Sequence, residues 1–287
     1  MSTDADQETA FIQLGSGALA GLFAETCTHS MDTIRARLQH QRGAGEYRGV
    51  VQAFSRIMKT EGIRGLYGGY ASVVLFTVPA HAFYFFGYET TKRYLRSDLG
   101  VEDKPVWVHF TAGLVAEFFG AFIWTPQDVV KQRLQVLSVG QRPSTASILK
   151  DIVKEKGIFG PWKGLGAGLL TYGPFVGCYF VFYEQFKLMS KNITGKDKEQ
   201  DIPMPYILLA AGTAGALAAG ITCPLDVVKT RIQIEKGPEY STIRSAVSTM
   251  LKEGYGVFWK GLAARINWIA PSCALTLAAY ERCKTLL

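Results

Sequence analysis

Charge is what this sequence has little of. Asp, Glu, Lys and Arg make up 19% of its 287 residues, below the roughly 25% of soluble domains. That shortage argues against a soluble chain. Hydrophobic residues reach 48%, yet mean hydropathy is only +0.11, too low for a bundle of uniformly greasy spans. Apolar segments with one wet face fit the intermediate value. Cysteine is also sparse: Cys27, Cys178, Cys223, Cys273 and Cys283 show no CxxC or metal-ligand spacing, so they read as small buried apolar residues. Residues Met1 to Gln7 lack a basic n-region and an apolar h-region, so no secretory signal is expected. They are too acidic and Arg-poor for a cleaved transit peptide, which leaves any address inside the chain. No nucleophile–base constellation, Walker loop or dinucleotide fingerprint stands in a suitable strand–helix context, so no catalytic residue is expected and the chain reads as a non-enzyme. Nothing calls for a nucleic-acid partner. The net charge of +7 suits anionic lipid or an anionic substrate, and excess Lys and Arg is also the usual orientation signal of membrane chains.

What the sequence has is a period. Pro224-Leu225-Asp226-Val227-Val228-Lys229-Thr230-Arg231-Ile232-Gln233 ends a long apolar segment. Pro126 to Gln135 repeats it, and Ser30 to Gln39 repeats it with Ser in place of Pro. The three copies start 96 and 98 residues apart, at positions 30, 126 and 224. Such a period outranks every other pattern. Each third then runs the same way: a long helix, a short amphipathic helix, a glycine step, a second long helix. The long helices are expected at 11–39, 70–95, 106–134, 165–189, 205–232 and 262–286. The short ones are expected at 50–59, 144–155 and 242–252. Spans of 25 to 30 residues exceed the roughly 20 that cross hydrocarbon, so they tilt or project. The prediction is an all-α membrane protein with six tilted transmembrane helices in three pseudo-threefold repeats, over about 8–98, 104–195 and 203–287. Gly15, Gly17, Gly21, Gly113, Gly212 and Gly215 allow close helix contact.

A second motif recurs on the even-numbered spans: Tyr88-Glu89-Thr90-Thr91-Lys92, Tyr183-Glu184-Gln185-Phe186-Lys187 and Tyr280-Glu281-Arg282-Cys283-Lys284. Each Glu follows a proline by ten residues, at Pro79, Pro174 and Pro271. Acid and base stand three apart in both motifs, hence on one helix face. Ionisable groups inside a membrane face the bundle interior or water. Three such faces around an axis make a ring in which each acid pairs with a neighbour's base. Two rings at opposite ends are two gates, and they have to alternate, because a chain shut at both ends cannot pass anything.

With both motifs tripled and in register, the chain resembles the mitochondrial carrier family over nearly its whole length. The resemblance implies a monomeric transporter of the mitochondrial inner membrane, with both termini toward the intermembrane space. It implies a matrix gate of Asp32–Lys131, Asp128–Lys229 and Asp226–Arg35, braced by Gln39, Gln135 and Gln233. It implies a cytoplasmic gate of Glu89–Lys187, Glu184–Lys284 and Glu281–Lys92, braced by Tyr88, Tyr183 and Tyr280. Trp162-Lys163-Gly164 and Trp259-Lys260-Gly261, with Gly49 and Gly69, match the family's cardiolipin-binding helix starts. Tyr67-Gly68-Gly69 lacks the basic residue. No other cofactor is implied. Ser30 departs from the motif and keeps its N–H, which predicts a gentler bend in the first helix.

The family's substrate contacts fall here on Phe76, Thr77, Thr171, Tyr172, Trp268 and Ile269, none of them charged. Glu25 and Glu117 lie seven and eleven residues before Asp32 and Asp128, within about 20° of the same helix faces. They look unpaired and make the centre acidic. Pro79-Ala80-His81 resembles the second helix of mitoferrin-type iron carriers, so a metal cation held by Glu25 and His81 is the first substrate expectation. The alternative is a cationic or zwitterionic organic metabolite, such as S-adenosylmethionine or an amino acid, stacked on Tyr172, Trp268 or Phe76. A non-transporting scaffold, descended from a carrier, is the reading from another class.

Overall fold

The structure, a computed structural model, describes the backbone of residues 2–41, 46–97, 106–195 and 202–286, and the side chains of 15, 17–41, 46–95, 108, 111–195 and 202–279. Among these residues every regular element is helical. The long helices are α1 (Ser2–His40), α3 (Tyr70–Ser97), α4 (Val106–Val136), α6 (Leu165–Thr194), the pair α7 (Met204–Ile221) and α8 (Cys223–Ile234), and α10 (Leu262–Leu286). The short ones are α2 (Val50–Leu66), α5 (Thr145–Lys156) and α9 (Ile243–Glu253). Contacts run α1 to α3, α3 to α4, α4 to α6, α6 to α7, α7 to α10 and α10 back to α1, so the long helices close a ring.

Each repeat builds the same small core at one end of that ring. Ala53 and Ile57 of α2 pack on Ile34 and Leu38 of α1. Ile148 and Ile152 of α5 pack on Val129, Val130 and Leu134 of α4. Ala246 and Met250 of α9 pack on Val227, Val228 and Ile232 of α8. Their apolar residues recur at helical spacing, so burial of one stripe orders them. Two of the starts are capped by side chains: Ser144 Oγ accepts from the Ser147 amide, and Thr242 and Ser245 form a reciprocal capping box. Expected to end at 59, α2 instead runs on to a break at Gly62, with φ 66°, after which helical turns resume as far as Leu66.

The fifth long helix differs from expectation. It breaks at Thr222 (φ −90°, ψ 6°), just before Pro224. Proline removes an amide donor and crowds the carbonyl four residues back. In α4 the matching Pro126 stays inside one continuous helix. In α1, where Ser30 stands, the helix also runs unbroken.

Four of the described segments are long and apolar enough to cross a membrane, within 50–95, 160–194, 204–221 and 255–279. Outward-facing Leu75, Val78, Phe118, Phe180, Val181 and Leu209 are exposed, as a lipid-facing surface requires. The cysteines are less buried than expected: Cys223 is buried, but Cys27 is exposed and Cys178 and Cys273 are intermediate.

Candidate functional site

The first motif brings its charges together across repeats. Arg35 Nη1 lies 2.6 Å from Asp226 Oδ2, Lys131 Nζ 3.1 Å from Asp32 Oδ2, and Lys229 Nζ 2.7 Å from Asp128 Oδ2. These are the three pairings that the family resemblance implied. Arg35 also reaches Asp32 at 2.7 Å on its own helix, and Lys131 reaches Asp128 at 3.8 Å. The six charges are therefore linked in one chain, Asp226–Arg35–Asp32–Lys131–Asp128–Lys229, rather than in three separate pairs.

The ring is uneven. Gln135 donates to Asp32 and Gln39 to Asp226, each at 2.9 Å. Gln233 makes no corresponding bond to Asp128, and its buried amide atoms have no hydrogen-bond partner among the described residues. The Asp128 and Lys229 side chains keep 24% and 20% of their exposure, against 0% and 8% for Asp32 and Asp226. One corner of the ring, between α4 and α8, is wetter and less supported.

Below the ring a second threefold pattern stitches the repeats. Arg37 pairs with Glu61 at 2.5 Å, Arg133 with Glu155 at 3.0 Å and Arg231 with Glu253 at 2.7 Å, each tying a long helix to its own short one. The same guanidinium groups donate from Nε to the next repeat: Arg37 to the Gln135 carbonyl, Arg133 to Gln233, Arg231 to Gln39, at 2.9, 3.5 and 3.1 Å. The sequence reading named these arginines only as motif letters. Their fixed place five residues after the acid was the available signal.

The glycines proposed as lipid contacts have a packing reason of their own. Gly69, Gly164 and Gly261 all take positive φ, at 77°, 86° and 76°, where a side chain is strained. A Cβ there would meet Lys131 O at 2.7 Å, Gln233 Cγ at 2.9 Å or Gln39 Cγ at 3.1 Å. Each even helix thus starts pressed against the ring residues of the next repeat. Lys163 Nζ donates to the Glu235 carbonyl at 2.6 Å and Lys260 Nζ to Gln41 at 3.2 Å. Trp162 Nε1 donates to the Phe122 carbonyl at 2.8 Å, Trp259 is half exposed, and Gly49 precedes α2 with extended backbone.

The second motif behaves differently. Lys187 pairs with Glu184 on its own helix at 2.7 Å rather than with Glu89 of α3, which is exposed and makes no ion pair among the described residues. Tyr183 and Tyr88 lie near the ammonium of their own motifs, with Lys187 and Lys92 at 5.4 and 5.9 Å from the ring centres. Tyr280, Glu281 and Lys284 lie outside the described side chains.

Between the two levels, Thr171, Tyr172, Phe175, Trp268 and Ile269 line a cavity of about 230 Å³ together with Asp226, Lys229 and Arg265. Four predicted contacts thus share one wall. The other two do not line it: Thr77 is buried and donates to its own Val73 carbonyl at 2.6 Å, and Phe76 stands beside it on α3. Arg265 was missed. It is buried, sits one turn before Trp268 and Ile269, and places Nη1 3.6 Å from Asp226. The centre is less acidic than expected, for Glu25 is not unpaired: it lies 3.5 Å from Lys131 Nζ and 3.3 Å from His29 Nδ1. Glu117 is half-buried on α4 with no ion pair among the described residues.

His81 sits apart from Glu25's neighbours. Its Nδ1 donates to the Thr77 carbonyl at 2.8 Å and its ring meets Trp124 edge-on at 5.8 Å. Glu25 gathers instead with His29 and Asp32, whose ligand atoms lie within 4.8 Å of one another. The Lys131 ammonium already stands against both carboxylates there, and a cation would have to displace it.

A family description, "Mitochondrial carrier protein", matches residues 6–99, 102–193 and 200–287. The chain is 42% identical to "Mitochondrial substrate carrier family protein E" of Dictyostelium discoideum, covering 98% of this chain and 97% of that one. It is 30% identical to the "S-adenosylmethionine mitochondrial carrier protein homolog" of Drosophila melanogaster, covering 94% and 91%. It is 32% identical to "S-adenosylmethionine carrier 1, chloroplastic/mitochondrial" of Arabidopsis thaliana, covering 95% and 78%.

Proposed function

Because the chain belongs to the mitochondrial carrier family, whose members are transporters, we propose that it moves a small organic cation or zwitterion of the S-adenosylmethionine class across the mitochondrial inner membrane by alternating access. One observation supports the alternation: the odd-helix charges are joined across all three repeats. That is the arrangement of a carrier shut at its matrix mouth. Asp32, Arg35, Asp128, Lys131, Asp226 and Lys229 then act as the matrix gate. Glu89, Lys92, Glu184, Lys187, Glu281 and Lys284 form the opposite gate when the first opens, with both termini toward the intermembrane space. The carrier works as a monomer, with cardiolipin phosphate held at the even-helix starts by backbone amides.

The substrate class rests on the cavity wall. Tyr172, Phe175 and Trp268 supply ring faces for a cation, and Asp226 and Arg265 offer one group of each sign for a zwitterion. The names of two relatives agree with it. A metal cation is the second reading, favoured by the Glu25, His29 and Asp32 cluster. Purified protein in liposomes decides between them. Uptake of radiolabelled S-adenosylmethionine, lost in Asp226→Asn, supports the first reading. Uptake of Fe²⁺ without S-adenosylmethionine replaces it with the second. No uptake of any labelled solute leaves a scaffold.

A further inference from the structure

The loop that follows α4 carries Arg142, seven residues past Gln135. Its guanidinium donates to carbonyls at the ends of two helices from different repeats. Nε is shared between Leu134 and Leu137, at and just past the end of α4, both at 3.0 Å. Nη1 donates to the Arg64 carbonyl at 2.6 Å and Nη2 to that of Gly65 at 2.9 Å, in the last turn of α2. Nη2 also stands 3.6 Å from the Glu61 carboxylate, which accepts from the Val139 amide of the same loop at 3.2 Å. A helix end leaves its last carbonyls without partners and carries partial negative charge. Two such ends brought together repel, and the planar fork of one arginine satisfies both. The turn before α3 leaves room for it: a Cβ on Gly68 would meet the guanidinium carbon at 2.7 Å.

The same step of seven lands differently in the other repeats. Past Gln233 it lands on Tyr240, which is buried in the core of its own repeat with Met250 of α9. Past Gln39 it lands on Glu46, which pairs with Arg56 of α2 at 2.6 Å. Those two residues turn to their own short helices, whereas Arg142 crosses to the repeat before it. Between the second and third repeats the crossing side chain is Lys236, paired with Glu155; it keeps 70% of its exposure, against 13% for Arg142. That boundary also holds the wet Asp128–Lys229 pair, the unbonded Gln233 amide and the longest of the three arginine-to-carbonyl bonds, Arg133 to Gln233 at 3.5 Å. The seam between α2 and α4 is fastened both at the ion ring and below it. The seam between α4 and α8 is weak at both levels.

We propose that Arg142 is a positioning residue that binds the first and second repeats into one body, so that the matrix mouth parts along the α4–α8 seam and not by three equal movements. The third repeat carries the displacement, while α2 stays seated on the end of α4 throughout. This inference rests on the carrier reading above and adds to it the line along which the mouth parts.

The test places pairs of spin probes on the full-length carrier in liposomes, its five native cysteines first replaced by serine. One pair, Arg64→Cys with Gln141→Cys, spans the first seam. The other, Lys156→Cys with Pro238→Cys, spans the second, and all four positions are exposed. Asp32→Asn, Asp128→Asn and Asp226→Asn together release the mouth without any substrate, because they leave the ring's cations facing one another. The distance across the second seam should then lengthen and broaden, while the distance across the first stays as it was. Adding Arg142→Ala should let the first distance lengthen as well. Arg142→Lys should fall between, since an ammonium keeps the charge but cannot serve both helix ends. If Arg142→Ala does not fold, Arg142→Lys carries the comparison. Equal lengthening of both distances with Arg142 intact overturns this proposal and leaves the carrier reading standing. If removing the three acids changes neither distance, the ring does not hold the mouth shut, and the gate reading falls together with this one.

Discussion

Arg265 of α10 donates twice to Thr222, from Nη1 to the backbone carbonyl at 2.8 Å and from Nη2 to Oγ1 at 2.9 Å. Thr222 is the residue at which the fifth long helix breaks. The guanidinium therefore seals the break, and its 3.6 Å approach to Asp226 ties that seal to the ion ring.

Removing Arg265 should cost the chain both. Arg265→Ala leaves a buried carboxylate short of one cation and a buried hydroxyl without its donor, a loss of about 3 kcal/mol. The melting temperature of the purified carrier should fall by several degrees. Arg265→Lys keeps the charge but not the two-pronged donor, and should recover part of the loss. Equal stability of wild type and Arg265→Ala would contradict the seal.

The uneven ring predicts unequal acids. Asp32 holds Lys131, Arg35 and Gln135 with no exposure, whereas Asp128 is partly wet and lacks a glutamine. Asp32→Asn should reduce uptake and stability most, by about 3–5 kcal/mol for a broken buried pair. Asp128→Asn should cost about 1 kcal/mol, near the value for an exposed pair. Melting curves of the two variants check the order; a larger loss in Asp128→Asn would refute it.

Lys229 and Asp128 come from different repeats and meet at 2.7 Å. Asp128→Lys alone places like charges there, and uptake should fall at least about tenfold. Combining it with Lys229→Asp restores one charge of each sign, and should return a measurable part of the uptake. Failure of the double variant to exceed either single one would show that the pair does not act as a unit.

Glu155, outside the membrane-spanning helices, adds a pH dependence. Burial pushes its carboxyl up, but hydrogen bonds from Lys236 and Arg133 outweigh that and hold it below the ordinary carboxylate range. Because the folded value is depressed, the stability it contributes is present above the ordinary range and is lost as pH falls through the depressed value. The pair is largely exposed, so the effect is about 0.5 kcal/mol. In Glu155→Gln the acid-side fall of the melting temperature should be shallower than in wild type.

Gly164 should resist substitution. With φ 86° and Gln233 Cγ 2.9 Å from any added Cβ, Gly164→Ala incurs backbone strain and a collision together, about 2 kcal/mol. Gly166, two residues on, has open space around it and should accept Ala with little change in melting temperature.

By itself the sequence determined the period, the helical plan and that each acid meets a base of a neighbouring helix. Those are properties of spacing: a charge three residues from another shares its face, and a face repeated three times around an axis has one neighbour on each side. It could not say that the odd-helix charges are joined, because both motifs carry the same kind of charges and only helix tilt decides which mouth closes. It could not show that Glu25 is paired, since the ammonium beside it belongs to residue 131 of another repeat. Nor could it show that Trp268 lies on Arg35, a contact between positions 35 and 268 that no local pattern encodes. Such distant contacts are set by how the ring closes, α10 against α1, and closure is a tertiary event.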